Sequence, residues 1–182
     1  MEETININHR LIEKCLDGDI KAQFQLYKQY SKAMYNIASR ILNNKMDAED
    51  ILQESFITAF NRLGELKNRD AFGSWLKRIV INKCISQQRR KKIDFEEIDD
   101  YKLENGPVQE ESLPDIDPAL VHHAIRELPE KGRAVLVLRA LEGYRHKEIS
   151  ELLNISVSTS KTQYSRALAL LNRKLKSKLD VD

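Results

Sequence analysis

The charge of this chain reverses at its middle. Residues 67–92 carry nine basic side chains against a single acidic one, Asp70. Residues 93–118 then carry ten acidic side chains against Lys102. A net charge of +2 hides both blocks. The acidic stretch also holds Gly106, Pro107, Pro114 and Pro118. Like charges repel and Pro and Gly interrupt helices, so it reads as a flexible acidic linker. Three parts follow: a domain over residues 1–92, a linker over 93–117 and a second domain over 118–182. The basic block has the sign needed to meet a polyanion. The linker has the opposite sign and could also lie on that block in the absence of nucleic acid; solvation of the linker alone is the plainer reading of its charge.

Hydrophobic periodicity makes both flanks helical. From Phe24 to Leu42 the apolar residues Phe24, Tyr27, Met34, Ile37, Ile41 and Leu42 recur at three- and four-residue steps, the period of an amphipathic helix. A second helix is expected over roughly 48–63, with Asp47 as its N-cap and Ile51, Leu52, Ala59, Phe60 and Leu63 inward. The stretch from Phe72 to Lys92 reads as a third, buried through Phe72, Trp75, Leu76, Ile79, Val80 and Ile85. With only six glycines and four prolines, a fold built on many tight turns is excluded. The expected class is all-α: two small helical domains, an N-terminal bundle and a C-terminal helix-turn-helix.

The second helix opens on Glu49, Asp50, Gln53 and Glu54. Acidic residues there suit the positive end of a helix dipole. Residues 50, 53 and 54 also share one side, as a docking face for a basic partner would require. The polar stretch from Glu65 to Asp70 precedes a helix whose outer surface carries Lys77, Arg78, Asn82, Lys83, Gln87 and Arg90. Cations and amides in that arrangement can hold phosphates and base edges. Trp75 serves either as core anchor or as stacking platform.

In the C-terminal half, residues 119–127 form a short helix. Another starts near Pro129 and stops at Gly143. A helix over 146–153, a turn at Asn154-Ile155 and a longer helix capped by Ser156 then give the helix-turn-helix pattern. Val157, Tyr164, Leu168, Leu171 and Leu175 share its inward stripe. Lys161, Thr162, Ser165 and Arg166 are left to enter a major groove. A plain helical hairpin with a solvated cationic face is the competing reading.

Other chemistry is sparse. Cys15 and Cys84 make neither a disulfide framework nor a zinc site and read as reduced thiols. His122 and His123 point to different sides of a helix, so no metal site is expected. His146 is expected to be solvated. No glycine-rich phosphate loop and no catalytic constellation is present, so neither an enzyme nor a cofactor is expected. No apolar run approaches the ~20 residues of a membrane helix. Met1 is followed by Glu2 and Glu3 rather than by a basic leader, which predicts a cytoplasmic chain without membrane insertion.

DAEDILQESFITAF, FGSWLKRIVINKCISQQRR and LPEKGRAVLVLRALEGYRHKEISELLNISVSTSKTQYSRALALL, in that order and separated by the acidic linker, resemble bacterial RNA polymerase sigma factors. The two-domain length resembles the extracytoplasmic-function class, group IV of the sigma-70 superfamily. The resemblance implies a region 2-like domain over 1–92 and a region 4-like domain over 118–182. It implies core RNA polymerase as partner, through the clamp coiled coil of the largest subunit and the flap of the second-largest. Asp47, Asp50, Gln53 and Glu54 would bind the coiled coil. Leu66, Lys67, Asn68 and Arg69 would lie in the loop that captures a flipped −10 base. Trp75, Arg78, Asn82, Lys83, Arg89 and Arg90 would form the −10 recognition and melting surface. Lys161, Thr162, Ser165 and Arg166 would read the −35 element, and the linker would thread toward the RNA exit path. The resemblance also implies promoter DNA and an anti-sigma factor as partners.

Two departures stand out. Leu66 occupies a place where many members have an aromatic, and Ser158-Thr159-Ser160-Lys161-Thr162-Gln163 replaces Gly-Thr-Val-Lys-Ser-Arg. Gln163 thereby removes a cation expected among the −35 contacts. The alternatives are a stand-alone helix-turn-helix regulator, which would dimerise, and a DNA recombinase, which would need a nucleophile that residues 1–92 do not offer in a recognisable pattern.

Overall fold

The computed structural model describes residues 2–91 and 117–179, and among them every regular element is helical. The linker expected over 93–117 lies outside the described residues except at Asp117. The chain forms two compact units, Met1–Gln87 and Gln88–Asp182.

The first unit contains α1 (Glu2–Leu16), α2 (Ile20–Leu42), α3 (Lys45–Asn61) and most of α4 (Phe72–Arg90). Hydrophobic periodicity does not single out α1, yet its boundary is written in the sequence. Gly18 takes a left-handed φ of +84°, and the Asp19 carboxylate accepts from the main-chain N–H of Lys21 and Ala22, opening α2. α2 ends where Asn43 takes φ 51°, and Asn44 at once caps α3 by accepting from the Asp47 N–H at 3.0 Å. Asp47 is therefore not the cap; it sits inside the first turn. The left-handed Asn43 reverses the chain in fewer residues than a polar break of three suggests.

The core of this unit includes Ile12, Leu26, Ile41, Ala48, Phe56, Leu63, Phe72, Leu76, Ile81 and Cys84. Tyr27 packs on Phe56 with centroids 4.8 Å apart, and Tyr30 stands edge-on to Phe72 at 5.3 Å. Phe24 is 60% exposed rather than inward. The buried stripe of α2 runs through Ala22 and Leu26, and a residue midway between i and i+4 faces the other way. Phe60 and Trp75 are half-buried, while Phe56, Ile81 and Cys84 join the core in addition to the expected set.

The second unit contains α5 (Pro118–Arg126), α6 (Glu130–Leu136), a π turn (Val137–Leu141), α7 (His146–Leu153) and α8 (Val157–Leu179). Asp117 caps α5 and Pro118 occupies its first turn, where a missing N–H costs nothing. The expected helix up to Gly143 widens into the π turn, with Glu142 N–H donating to the Val137 carbonyl at 3.0 Å. Gly143 then stops it with φ +78°. At Gly132 α6 and α8 nearly touch: a Cβ there would sit 3.1 Å from the Ala167 Cβ. The Glu127 carboxylate takes hydrogen bonds from Lys178 at 2.9 Å and Lys174 at 3.1 Å, tying α8 to the end of α5. Those bonds lower its pKa to about 2.

Candidate polymerase-docking and nucleic-acid surfaces

α3 presents Glu49, Asp50, Gln53 and Glu54 to solvent, with Asp47 half-buried. Its inward positions are Ala48, Ile51, Leu52, Ser55, Phe56 and Ala59. Ser55 satisfies its buried hydroxyl on the Ile51 carbonyl at 2.6 Å. Met46 and Ile57 are exposed on the same helix. Ile57 lies three, four and seven residues beyond Glu54, Gln53 and Asp50, so an apolar side chain stands within the acidic face. The sequence carried that signal, because Ile57 falls off the buried stripe. A face of acids around an apolar centre is fitted to a basic, amphipathic partner.

This acidic face borders the basic helix. Lys83 Nζ lies 3.3 Å from Glu54 Oε2, and Gln87 Nε2 donates to Asp47 Oδ1 at 3.4 Å. On α4, Arg78, Asn82, Arg89 and Arg90 are exposed, while Trp75 and Lys83 are half-buried. The Trp75 ring centroid lies 6.1 Å from that of Phe72, and the residue stays half-buried. Positions 75, 78, 82 and 89 recur on one side of the helix.

The loop from Arg62 to Ala71 is ordered by two 3₁₀ turns, Leu63–Glu65 and Arg69–Ala71. Leu66 is 5% exposed: its side chain belongs to the core, and only its neighbours present side chains at the surface. Lys67 and Asn68 are exposed, and the Asn68 amide oxygen accepts from the Asp70 N–H at 3.0 Å. Arg69 is half-buried. It donates to Glu13 on α1 at 2.9 Å and to the Leu66 carbonyl.

In the second unit the Ser156 hydroxyl accepts from the Thr159 N–H at 2.9 Å, capping α8 as its position implied. Lys161 and Ser165 are exposed, and Thr162 and Arg166 are half-buried beside them. Ser160, Gln163, Ala167, Leu171 and Leu175 face inward. Gln163 is 7% exposed, so its departure from the expected arginine alters the interior of the helix-turn-helix rather than its outer face. The reason is the close crossing at Gly132, where an added Cβ would stand 3.9 Å from the Gln163 carbonyl. Val157, at the first position of α8, is exposed instead of inward, and Tyr164 and Leu168 are half-buried. His146 is packed instead of solvated. Its Nδ1 lies 3.0 Å from the Ser160 hydroxyl, and its ring stands edge-on to Tyr164. Burial first, then Arg139 and Lys161, holds its pKa below the ordinary value.

Burial raises Cys15 to about 11 and Cys84 to about 12, so both are inert thiols. Among the described residues no group of three His, Cys, Asp or Glu is placed to hold a metal ion. None of the described helices is long and apolar enough to cross a membrane.

Two family models match the chain: sigma-70 region 2 over residues 26–93 and sigma-70 region 4 over residues 119–171. The extracytoplasmic-function RNA polymerase sigma factor SigW of Bacillus subtilis (strain 168) is 30% identical over 177 residues, covering 91% of this chain and 95% of the relative. The RNA polymerase sigma-H factor of Pseudomonas aeruginosa is 28% identical over 180 residues, covering 92% and 93%. The fold is shared with two solved complexes. One is the sigma factor RpoE with the anti-sigma factor NepR from Bartonella quintana (TM-score 0.55, 20% identity, 86% of this chain and 98% of that one). The other is CnrH with the cytosolic domain of CnrY (TM-score 0.51, 23% identity, 97% and 99%). End-to-end similarity, with both regions in order, removes the stand-alone regulator and the recombinase. This chain belongs to the extracytoplasmic-function RNA polymerase sigma factors, the initiation factors that direct core polymerase to promoters.

Proposed function

We propose that promoter selection is divided between a region 2 domain over residues 1–92 and a region 4 domain over 118–182, joined by the linker over 93–117. Asp47, Asp50, Gln53 and Glu54 dock on the clamp coiled coil of the polymerase largest subunit. Lys67, Asn68 and Arg69, with Leu66 as the buried anchor, shape the loop that takes a flipped −10 base. Trp75, Arg78, Asn82, Lys83, Arg89 and Arg90 line the −10 strand, and Lys161, Thr162, Ser165 and Arg166 read the −35 element. The linker runs toward the RNA exit path, and the second domain engages the flap. The chain acts in the cytoplasm under the control of an anti-sigma protein, as RpoE does with NepR in the solved complex of the same fold.

The observation that carries this reading is the sorting of α8. Lys161, Thr162, Ser165 and Arg166 keep exposed surface, while Ser160, Gln163 and Ala167 are buried. A helix so divided, with polar and cationic groups at its outer N-terminal half, suits insertion into a major groove. As an initiation factor the chain is not an enzyme; strand opening draws on captured bases and on binding energy shared with the polymerase. Two weak readers on one scaffold gain effective concentration once their spacing matches the promoter.

Run-off transcription with core polymerase on a promoter library tests this. Initiation at a set of promoters sharing two spaced elements is expected. K161A and R166A should lose upstream-element preference, and N82A and K83A should weaken opening at the downstream one. No initiation in the presence of core polymerase, or loss of the same element in both pairs of variants, would overturn it.

A further inference from the structure

Glu13 lies on α1, outside the segment matched by the region 2 model, which begins at residue 26. Its carboxylate nevertheless reaches Arg69, 56 residues later, at 2.9 Å. The same guanidinium donates through Nη1 to the Leu66 carbonyl. Arg69 therefore closes a bracket between α1 and the loop. α1 itself is fixed, because Ile12 and Cys15 on either side of Glu13 are buried. Leu66 is anchored in the core, and Asn68 ties its own amide oxygen to the Asp70 N–H at 3.0 Å. The surface left by these ties is the tip, Lys67 and Asn68.

We infer that Glu13 is a positioning residue for the −10 loop, acting through Arg69 to hold residues 66–68 in the shape that receives an unstacked base. The inference rests on the proposed role of that loop. A guanidinium presents its donors in a fixed planar fork. With the Glu13 carboxylate on Nε and the Leu66 carbonyl on Nη1, that fork defines the loop's path. A loop ordered before nucleic acid arrives loses less conformational freedom on capture. It also keeps the tip in one geometry, and that geometry decides which base edge finds partners. Arg69 thus shifts in role: its charge is turned toward Glu13, and its effect on DNA is through loop shape.

The test uses reconstituted holoenzyme and promoters carrying each of the four bases at each −10 position. E13A and E13Q should narrow base discrimination at the captured position roughly fivefold, the order of an exposed charge-assisted pair. Polymerase affinity and sensitivity to −35 substitutions should stay at wild-type level. E13D, which keeps the carboxylate, should restore most of the discrimination. Full discrimination in E13A and E13Q would overturn the inference. So would a loss matched by an equal fall in polymerase affinity, the mark of a merely structural role. N68A separates the two layers. If N68A narrows discrimination and E13Q does not, only the positioning role fails. If neither changes it, the reading of the loop fails as well.

Discussion

The two elements proposed to face DNA in this sigma factor are held by different physics. In the first unit, cations assigned to −10 DNA are tied to acids of the same unit: Arg69 to Glu13 and Lys83 to Glu54. In the second, the N-terminal half of the recognition helix is set by neutral groups: the Ser156 cap, the Ser160–His146 contact and the close crossing of Gly132 on Ala167; the ion pairs of Lys174 and Lys178 with Glu127 hold only its C-terminal end. Charge pairs at a surface are weak, screened by salt and open to exchange for a phosphate or another partner. Packing and capping are insensitive to salt and do not exchange. The element proposed to capture an unstacked base therefore rests on exchangeable contacts, and the half-helix proposed to read intact duplex is rigidly presented.

The strongest way to break this contrast is to remove each unit's packing anchor. Phe72 is almost fully buried and touches both Tyr30 and Trp75. F72A should cost about 3–5 kcal/mol. Hydrogen exchange should show the loss over α1 to α4, with α6 to α8 unaffected. Protection lost evenly over both units would mean that they do not fold as separate cores.

Next comes the crossing at Gly132. Any side chain there meets Ala167 at 3.1 Å, and α6 and α8 must part to admit it. G132L should destabilise the second unit by about 1–3 kcal/mol and weaken −35-dependent initiation, while polymerase binding through the first unit persists. A fully stable G132L protein would show that the recognition helix is not held by this contact.

These anchors show how far the sequence could be read. The periodicity of α2 to α8 is legible because each buries an apolar stripe at helical steps, and spacing also gives the outer faces of α3 and α4, whereas the docking and −10 roles proposed for them come from the family resemblance. The π turn is not legible, since Val137 to Leu141 keep an apolar pattern that suits either helix type. The family resemblance sets Gln163 among the −35 contacts in place of an arginine, whereas a small residue on α6, Gly132, draws that face of α8 inward. No such stripe singles out α1, and only Gly18 and Asp19 mark its end. The Arg69–Glu13 pair was beyond reach, because nothing local in a sequence joins residues 56 apart.

A smaller effect distinguishes the neutral scaffold by pH. His146 titrates near 6.5 when unfolded, and its folded pKa is lowered by burial and by Arg139 and Lys161. The unfolded chain therefore takes up the proton first. The stability that the neutral ring contributes is present above 6.5 and is lost as pH falls through that value toward the folded pKa. Thermal melts of the second unit between pH 7.5 and 5 should decline in the wild type and be flatter in H146Q. An identical decline in both proteins would place the acid sensitivity elsewhere.

The smallest effect is the most direct on the charge-held side. Glu54 and Lys83 are 55% and 27% exposed at 3.3 Å, a geometry worth about 0–1 kcal/mol at low salt. At an ionic strength of about 0.15 M the screening length is about 8 Å, and at 1 M about 3 Å, comparable with the pair itself. The stability difference between wild type and E54Q should therefore be measurable in dilute buffer and vanish in concentrated salt. S156A, which removes a neutral cap, should cost about 1 kcal/mol at every salt concentration. If the E54Q difference survived high salt, the Lys83 tie would be a fixed structural contact, and the two units would be held by the same kind of force. If it vanishes, Lys83 is held loosely enough to leave Glu54 when a phosphate and a docking partner compete for the two ends of the pair.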